Sequence, residues 1–312
     1  MKKYAIGADI GGTTVKLGLF TTDGALLEKW EIRTNTENGG EKILPDIAAS
    51  CRAILADRKI ILNEVEGIGF GVPGPVGADG IIDVCVNLGW ENVDLKEEVH
   101  KLLGLKAAVG NDANVAAVGE CWKGGGKDAD NLVMITLGTG VGCGIILDGR
   151  MVTGAHGYGG EAGHIQINPE EEETCNCGKN GCLEQYCSAN GIVRVTKQNL
   201  ESVSTDTILR DYSDLTCENI FYAAKKGDAF ALRQVDEFAR TLALGLSYIS
   251  CVIDPELFLI GGGVSKAGTI VTDTVEKHYQ NFVFGAQKNT RFGLAQLGND
   301  AGIYGAAKLV IE

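Results

Sequence analysis

"YAIGADIGGTTVKLGLFTTDG", Tyr4 to Gly24, reads as two strand-like runs joined by a tip of small residues and closed by Asp-Gly. Much later the chain does the same again, in "LVMITLGTGVGCGIILDGR", Leu132 to Arg150. Each stretch is an apolar run, a Gly/Thr turn, a second apolar run and a closing Asp-Gly, the pattern of a β-hairpin. Recurrence of both the turn chemistry and the Asp-Gly close points to internal duplication rather than chance. The glycines are not a dinucleotide-binding fingerprint, which must open a helix after a strand. Here Gly11-Gly12 lead into VKLGLF, which has strand character. Backbone N–H groups at such a tip form an anion-binding concavity. Two related tips would let a polyphosphate be gripped from both sides.

The segments between the hairpins carry α/β signals. "VEGIGFGVPGPVG" reads as a buried strand running into a Pro/Gly loop. "LKAAVGNDANVAAVGECWKG" reads as a strand, a turn at Asn111-Asp112, and a helix from about Ala113. "DAFALRQVDEFARTLALGLSYISCVI" has long helical periodicity, "PELFLIGGGVSKAG" reads as strand, glycine turn and helix, and "DAGIYGAAKLVIE" as a closing helix. Asn199 to Glu218 is polar and mixed and carries little signal.

The chain has 312 residues, enough for one large domain or two ordinary ones. Hydrophobic residues make up 45% and charged residues 22%, ordinary for a globular protein. The net charge of -13, with no Lys/Arg-rich stretch, speaks against nucleic acid as a partner, because phosphate neutralisation needs a basic patch. It does not exclude ATP, which backbone N–H groups can hold. The first apolar segment is too short for a secretory signal, and no run of about 18 apolar residues suggests a membrane span. The expected location is the cytoplasm, where thiols stay reduced and ten cysteines do not imply disulfides.

Four cysteines crowd into "CNCGKNGCLEQYC", Cys175 to Cys187. Disulfides, a metal and plain packing are the alternatives. Cys175, Cys177 and Cys182 have the spacing C-x-C-x4-C, and His164 precedes them. Three thiolates and one imidazole suit tetrahedral zinc. Gly178 and Gly181 would let the loop wrap tightly between sulfurs. Free cysteines prefer apolar surroundings, whereas Asn176, Lys179 and Asn180 are polar, so the set reads as a structural zinc site. Cys187 reads as packing. Cys51, Cys85, Cys121, Cys143, Cys217 and Cys251 are scattered and read as small core residues.

Seven motifs occur in one order: "DIGGTTVKLGLF" (Asp9 to Phe20), "GVPGPV" (Gly71 to Val76), "NDANVAAVGE" (Asn111 to Glu120), "LGTGVGCG" (Leu137 to Gly144), "GAHGYGGEAGHIQI" (Gly154 to Ile167), "CNCGKNGCLE" (Cys175 to Glu184) and "LIGGGVS" (Leu259 to Ser265). Along nearly its whole length the chain resembles the ROK family (repressor, open reading frame, kinase), above all its glucose-phosphorylating members. The resemblance implies an actin-like, ribonuclease H-like α/β fold: a duplicated two-domain sugar kinase with an interdomain cleft. It places a small domain at residues 1–112, completed by the C-terminal helix at about 299–312, and a large domain at 113–298 containing the zinc loop 164–182. It also implies a homodimer or homotetramer.

The resemblance assigns roles residue by residue. Asp112 would be the catalytic base, a carboxylate within reach of the acceptor hydroxyl; a loose transition state makes its position matter more than its basicity. A plain helix cap is the structural alternative for Asp112, and the two are compatible. Asp9 would hold Mg²⁺ through water beside the phosphates. Gly11, Gly12 and Thr13 would donate to phosphate with Lys16 nearby, although Lys16 reads equally as a solvated strand lysine. Gly138, Thr139 and Gly140 would form the second phosphate tip, and Gly261, Gly262 and Gly263 the close approach to adenosine. The sugar would be held by Asn87, Asn111, Asp112, Glu161, His164 and Glu184, whose carboxylates, amides and imidazole match hexose hydroxyls. His164 would serve zinc with one ring nitrogen and the sugar with the other. His156 reads as structural, and His100 and His278 as surface residues.

The expected activity is therefore ATP-dependent transfer of phosphate to the 6-hydroxyl of glucose, with ATP, Mg²⁺ and structural Zn²⁺, in carbohydrate metabolism and glycolysis. N-acetylmannosamine, N-acetylglucosamine and fructose kinases share the motifs. A non-catalytic sugar-sensing repressor is disfavoured because only eight residues precede Asp9. An actin-like ATPase without a sugar is disfavoured by the cysteine loop and the Glu161/His164 segment.

Overall fold

Both hairpins seed a five-stranded sheet. The structure is a computed structural model that describes residues 2–77 and 79–311. In the first sheet β1 (Tyr4–Ile10), β2 (Thr14–Thr21) and β3 (Leu26–Arg33) run antiparallel in sequence. After a short turn, α1 (Glu37–Gly40), and the helix α2 (Ile43–Asp57), the strand β4 (Val65–Val72) lies parallel to β1. A two-stranded ribbon of β5 (Ile81–Cys85) and β6 (Trp90–Asp94) follows, then α3 (Leu95–Leu103), β7 (Lys106–Asn111) and α4 (Asp112–Lys123). The sheet order is β3-β2-β1-β4-β7.

The second sheet repeats the plan. It comprises β8 (Leu132–Leu137), β9 (Val141–Leu147) and β10 (Arg150–Met151), joined by β11 (Leu257–Gly261) and β12 (Arg291–Leu294) in the order β10-β9-β8-β11-β12. In each sheet three consecutive strands are followed by two later parallel ones, so the duplication read from the hairpins extends to the topology. Between β10 and β11 come α5 (Glu184–Cys187), α6 (Ala189–Ser202), α7 (Cys217–Lys225) and the 25-residue α8 (Ala229–Ile253). Then come α9 (Thr269–Tyr279) between β11 and β12 and the closing α10 (Ala301–Lys308).

Contacts divide the chain into two units. One runs up to Asp130, takes in Gly144–Gly160 and resumes from Gln296; the other holds Asn131–Cys143 and Glu161–Ala295. The expected division at 112/113 follows chain order, whereas contacts carry the first unit on to Asp130 because α4 is packed on α10. Backbone meets backbone in that packing: a Cβ on Gly305 would lie 1.7 Å from the Val115 carbonyl oxygen, and one on Gly119 would lie 2.2 Å from that of Ala301. The glycines of β1 and β4 receive α10 on the sheet in the same way, with Cβ positions on Gly7 and Gly69 within 2 Å of its carbonyls. On the same unit, α2 buries Ile43, Ile47, Cys51 and Leu55 at helical spacing in a core with Ile6, Leu17 and Phe70.

Candidate active site

In the first unit β1 delivers Asp9 and the β7–α4 junction delivers Asp112. The helix cap is Asn111, not Asp112. Its side-chain oxygen accepts from the N–H groups of Ala113 and Asn114 at 3.0 and 3.3 Å, and its amide donates to the Gly74 carbonyl at 3.1 Å. Asp112 is the first helical residue, exposed, with Oδ1 2.7 Å from the Ala113 nitrogen. The difference is one residue of helix register, decided by the extended backbone of Asn111 (φ −60°, ψ 145°). A helix N-terminus favours the carboxylate there.

Asp9 lies opposite Lys16 across the β1–β2 pair. Burial first, and the Asp112 charge second, push its carboxyl up to about 6, with Lys16 opposing. The Asp112 charge therefore reaches Asp9, which a cation would relieve for both. The tip beyond is closed by a bond from the Gly11 N–H to the Thr14 carbonyl at 3.0 Å, which leaves Gly12 and Thr13 exposed. Exposed Asn87 is beside this tip, its carbonyl oxygen 3.6 Å from where a Cβ on Gly12 would be.

The second unit carries the other residues. Gly138, Thr139 and Gly140 form the β8–β9 turn, with the Gly138 N–H donating to the Gly140 carbonyl at 3.0 Å. Glu184, at the start of α5, accepts from the Val141 N–H at 2.9 Å. Glu161 is exposed, with a carboxylate oxygen 3.8 Å from His164 Nε2. The other ring nitrogen of His164, Nδ1, faces the sulfurs, 3.8 Å from Cys175 Sγ.

His164, Cys175, Cys177 and Cys182 place one ligand atom each within 4.8 Å of all the others, and the sulfurs of Cys177 and Cys182 are 3.5 Å apart. Zn–S bonds of about 2.3 Å in a tetrahedron need sulfurs a little under 4 Å apart, so the donor set fits zinc. The loop owes its shape to glycine: Gly181 has φ +73°, and a Cβ there would lie 1.6 Å from the Asn168 carbonyl oxygen. Lys179 donates to the His164 carbonyl at 2.8 Å and its backbone N–H draws the Cys177 thiol below its usual value, while burial pushes Cys182 up to about 12. A bound cation would deprotonate such thiols outright.

A cavity of about 390 Å³ opens beside the turn after β11, walled by Phe221, Tyr222, Lys225, Glu218, Lys266 and Gly263. Of the three glycines there, only Gly263 has open space where a side chain would be. The place of a Cβ on Gly261 is taken by Met134, and on Gly262 by the Leu137 carbonyl. Residues 217–225 belong to α7, whose start fell in the stretch without sequence signal. A Thr216/Asn219 capping box marks it, with Asn in place of the usual Glu or Gln. Cys217 also lines the cavity and Cys251 is exposed, so neither is the core residue expected; Cys51, Cys85, Cys143 and Cys187 are buried. His278 is half-buried and bonded to Asp236 at 2.8 Å, rather than on the surface.

Comparison with known proteins gives this arrangement a family. The model described as "ROK family" matches residues 5–312. The chain belongs to the ROK family. Among its ROK relatives, a glucokinase of Halalkalibacterium halodurans is 40% identical over 99% of this chain and 95% of its own length. A glucokinase of Thermotoga maritima is 36% identical over the whole of this chain and 98% of its own. The crystal structure of a ROK family glucokinase from Streptomyces griseus in complex with glucose and AMPPNP superposes with a TM-score of 0.76 at 33% identity, covering 98% of each chain. The actin-like two-domain sugar kinase fold is thereby shared. No described helix is long and apolar enough to cross a membrane.

Proposed function

We propose that this ROK protein is an ATP-dependent hexose kinase that phosphorylates glucose at the 6-hydroxyl. Its full-length similarity to a glucokinase at 40% identity carries the reading. The site chemistry supports it. Asp112, exposed on the first turn of α4 beside a capped junction, is suited to accept the proton of the attacking hydroxyl. Asn111 holds that junction with three bonds, so it positions Asp112 and keeps capacity for one more bond to sugar. Asn87, Glu161, His164 and Glu184 are the remaining sugar partners. Gly11, Gly12 and Thr13, with Lys16 nearby, and Gly138, Thr139 and Gly140 are the phosphate-binding residues of this reading. The cavity at Gly263 takes the adenosine end, its aromatic wall suited to a base and its polar wall to a ribose. Mg²⁺ bound with ATP would neutralise phosphate charge, and Asp9 would hold it through water.

In this reading zinc is structural. Held by His164 Nδ1 and three thiolates, it would orient Nε2 toward Glu161 and the sugar. ROK membership is also the support for a cytoplasmic homodimer or homotetramer. The test is ADP release with Mg-ATP across glucose, mannose, fructose, N-acetylglucosamine and N-acetylmannosamine. Glucose should give the highest kcat/KM. A higher value for an acetamido sugar would refute glucose as the substrate, and ADP release indifferent to every sugar would refute the kinase.

A further inference from the structure

Glu184 touches the Gly/Thr turn with one carboxylate oxygen and faces the cysteine loop with the other. Oε2 accepts from the buried Val141 N–H at 2.9 Å, and Oε1 lies 3.9 Å from Cys175 Sγ. The identity of Gly140 points to the same oxygen. Its φ lies outside the left-handed region, so its backbone does not require glycine. A Cβ there would sit 2.3 Å from Glu184 Oε2, so a larger residue would make that carboxylate shift. A second tie comes from the start of α6, where the Ala189 N–H donates to the Gly138 carbonyl at 2.8 Å. The turn is thus held from outside at both ends, and only Glu184 among these contacts carries charge.

We propose that Glu184 is a positioning residue for the nucleotide as well as a partner of the sugar: its carboxylate holds the Gly138–Val141 turn in the shape that receives phosphate. It rests on the reading above, in which the turn meets phosphate and Glu184 meets sugar. The physical basis is an asymmetry. A charge-assisted bond to a buried N–H is worth more than a neutral one, and removing it leaves the N–H unpaired. A sugar ligand alone would leave nucleotide affinity untouched. A positioning residue transmits damage in both directions, so a change in the turn must also reach the sugar through Oε2.

The experiment is titration of the full chain with Mg-AMPPNP in the absence of sugar, and with glucose in the absence of nucleotide. Glu184→Ala should weaken AMPPNP about tenfold or more, the size expected for one charge-assisted bond. Glu184→Gln keeps a carbonyl acceptor for Val141 without the charge and should fall between the parent and Glu184→Ala. Glu161→Ala should weaken glucose alone. Gly140→Ala, which displaces Oε2, should weaken glucose about tenfold with no nucleotide present. Parent-like AMPPNP affinity in Glu184→Ala overturns the proposal. Should that variant not fold, parent-like glucose affinity in Gly140→Ala overturns it instead. Failure of the kinase reading shows separately, as a parent protein that binds neither ligand.

Discussion

Asn111 and Asp112 divide one task between neighbouring side chains. Asn111 closes the helix start and Asp112 is left exposed on it, so the Asp112 carboxylate is held without being consumed by the cap. If Asp112 is the general base, Asp112→Ala should lower kcat by about 10²–10⁴-fold, the usual span for such a group. Binding of Mg-AMPPNP should remain. Steady-state kinetics with glucose checks this, and a variant with near-parent kcat removes Asp112 from the mechanism. The "NDAN" junction was legible because Asn and Asp between an apolar run and a helical pattern mark a helix start. Which of the two is the cap was not, because it turns on one residue's ψ.

At the scale of elements, the cysteine loop is braced to α5 and α6 by a polar network. Tyr186 donates to Glu171 at 2.6 Å, and Arg194 pairs with Glu171 at 3.0 Å and with Glu173 at 2.9 Å. The Tyr186 hydrogen bond is the largest influence on Glu171, lowering its carboxyl from 4.5 to about 2 against the effect of burial, with Arg194 adding to it. A depressed carboxyl stabilises the fold above its unfolded value and loses that contribution as pH falls through the folded one. Tyr186→Phe should therefore be less stable than the parent at pH 7, and the gap should shrink between pH 4.5 and 2. Chemical denaturation across that range measures it; a gap that does not change with pH would show that the hydroxyl acts by packing alone. Nothing in the sequence paired Glu171 with Tyr186 or Arg194, since all three are ordinary surface types and the pairing depends on where the loop folds back.

For the molecule as a whole the cysteine loop, read as a zinc site, is the feature whose disruption should be felt furthest. Purified protein should hold about one zinc per chain. Cys177→Ser should lower zinc content and Tm together and raise KM for glucose, because in the proposed function His164 serves both metal and sugar. Metal analysis, thermal melts and kinetics on one preparation check all three, and full activity in metal-free protein would sink the structural role.

The sequence alone determined the duplicated hairpins, the strand-to-helix junction at Asn111-Asp112, the long helix α8 and the His/Cys quartet, because each is written in local spacing: alternation, helical periodicity, glycine turns, and cysteines a few residues apart. Tertiary structure decided what depends on approach between distant segments. It showed that α10 lies on glycine backbones of β1 and β4. It showed that only Gly263 of three glycines borders the cavity, whose opposite wall comes from α7. And it set one oxygen of Glu184 on the Val141 N–H of the Gly/Thr turn, a contact across 43 residues of chain that no local pattern encodes, because a hydrogen bond is set by distance in space and not along the sequence.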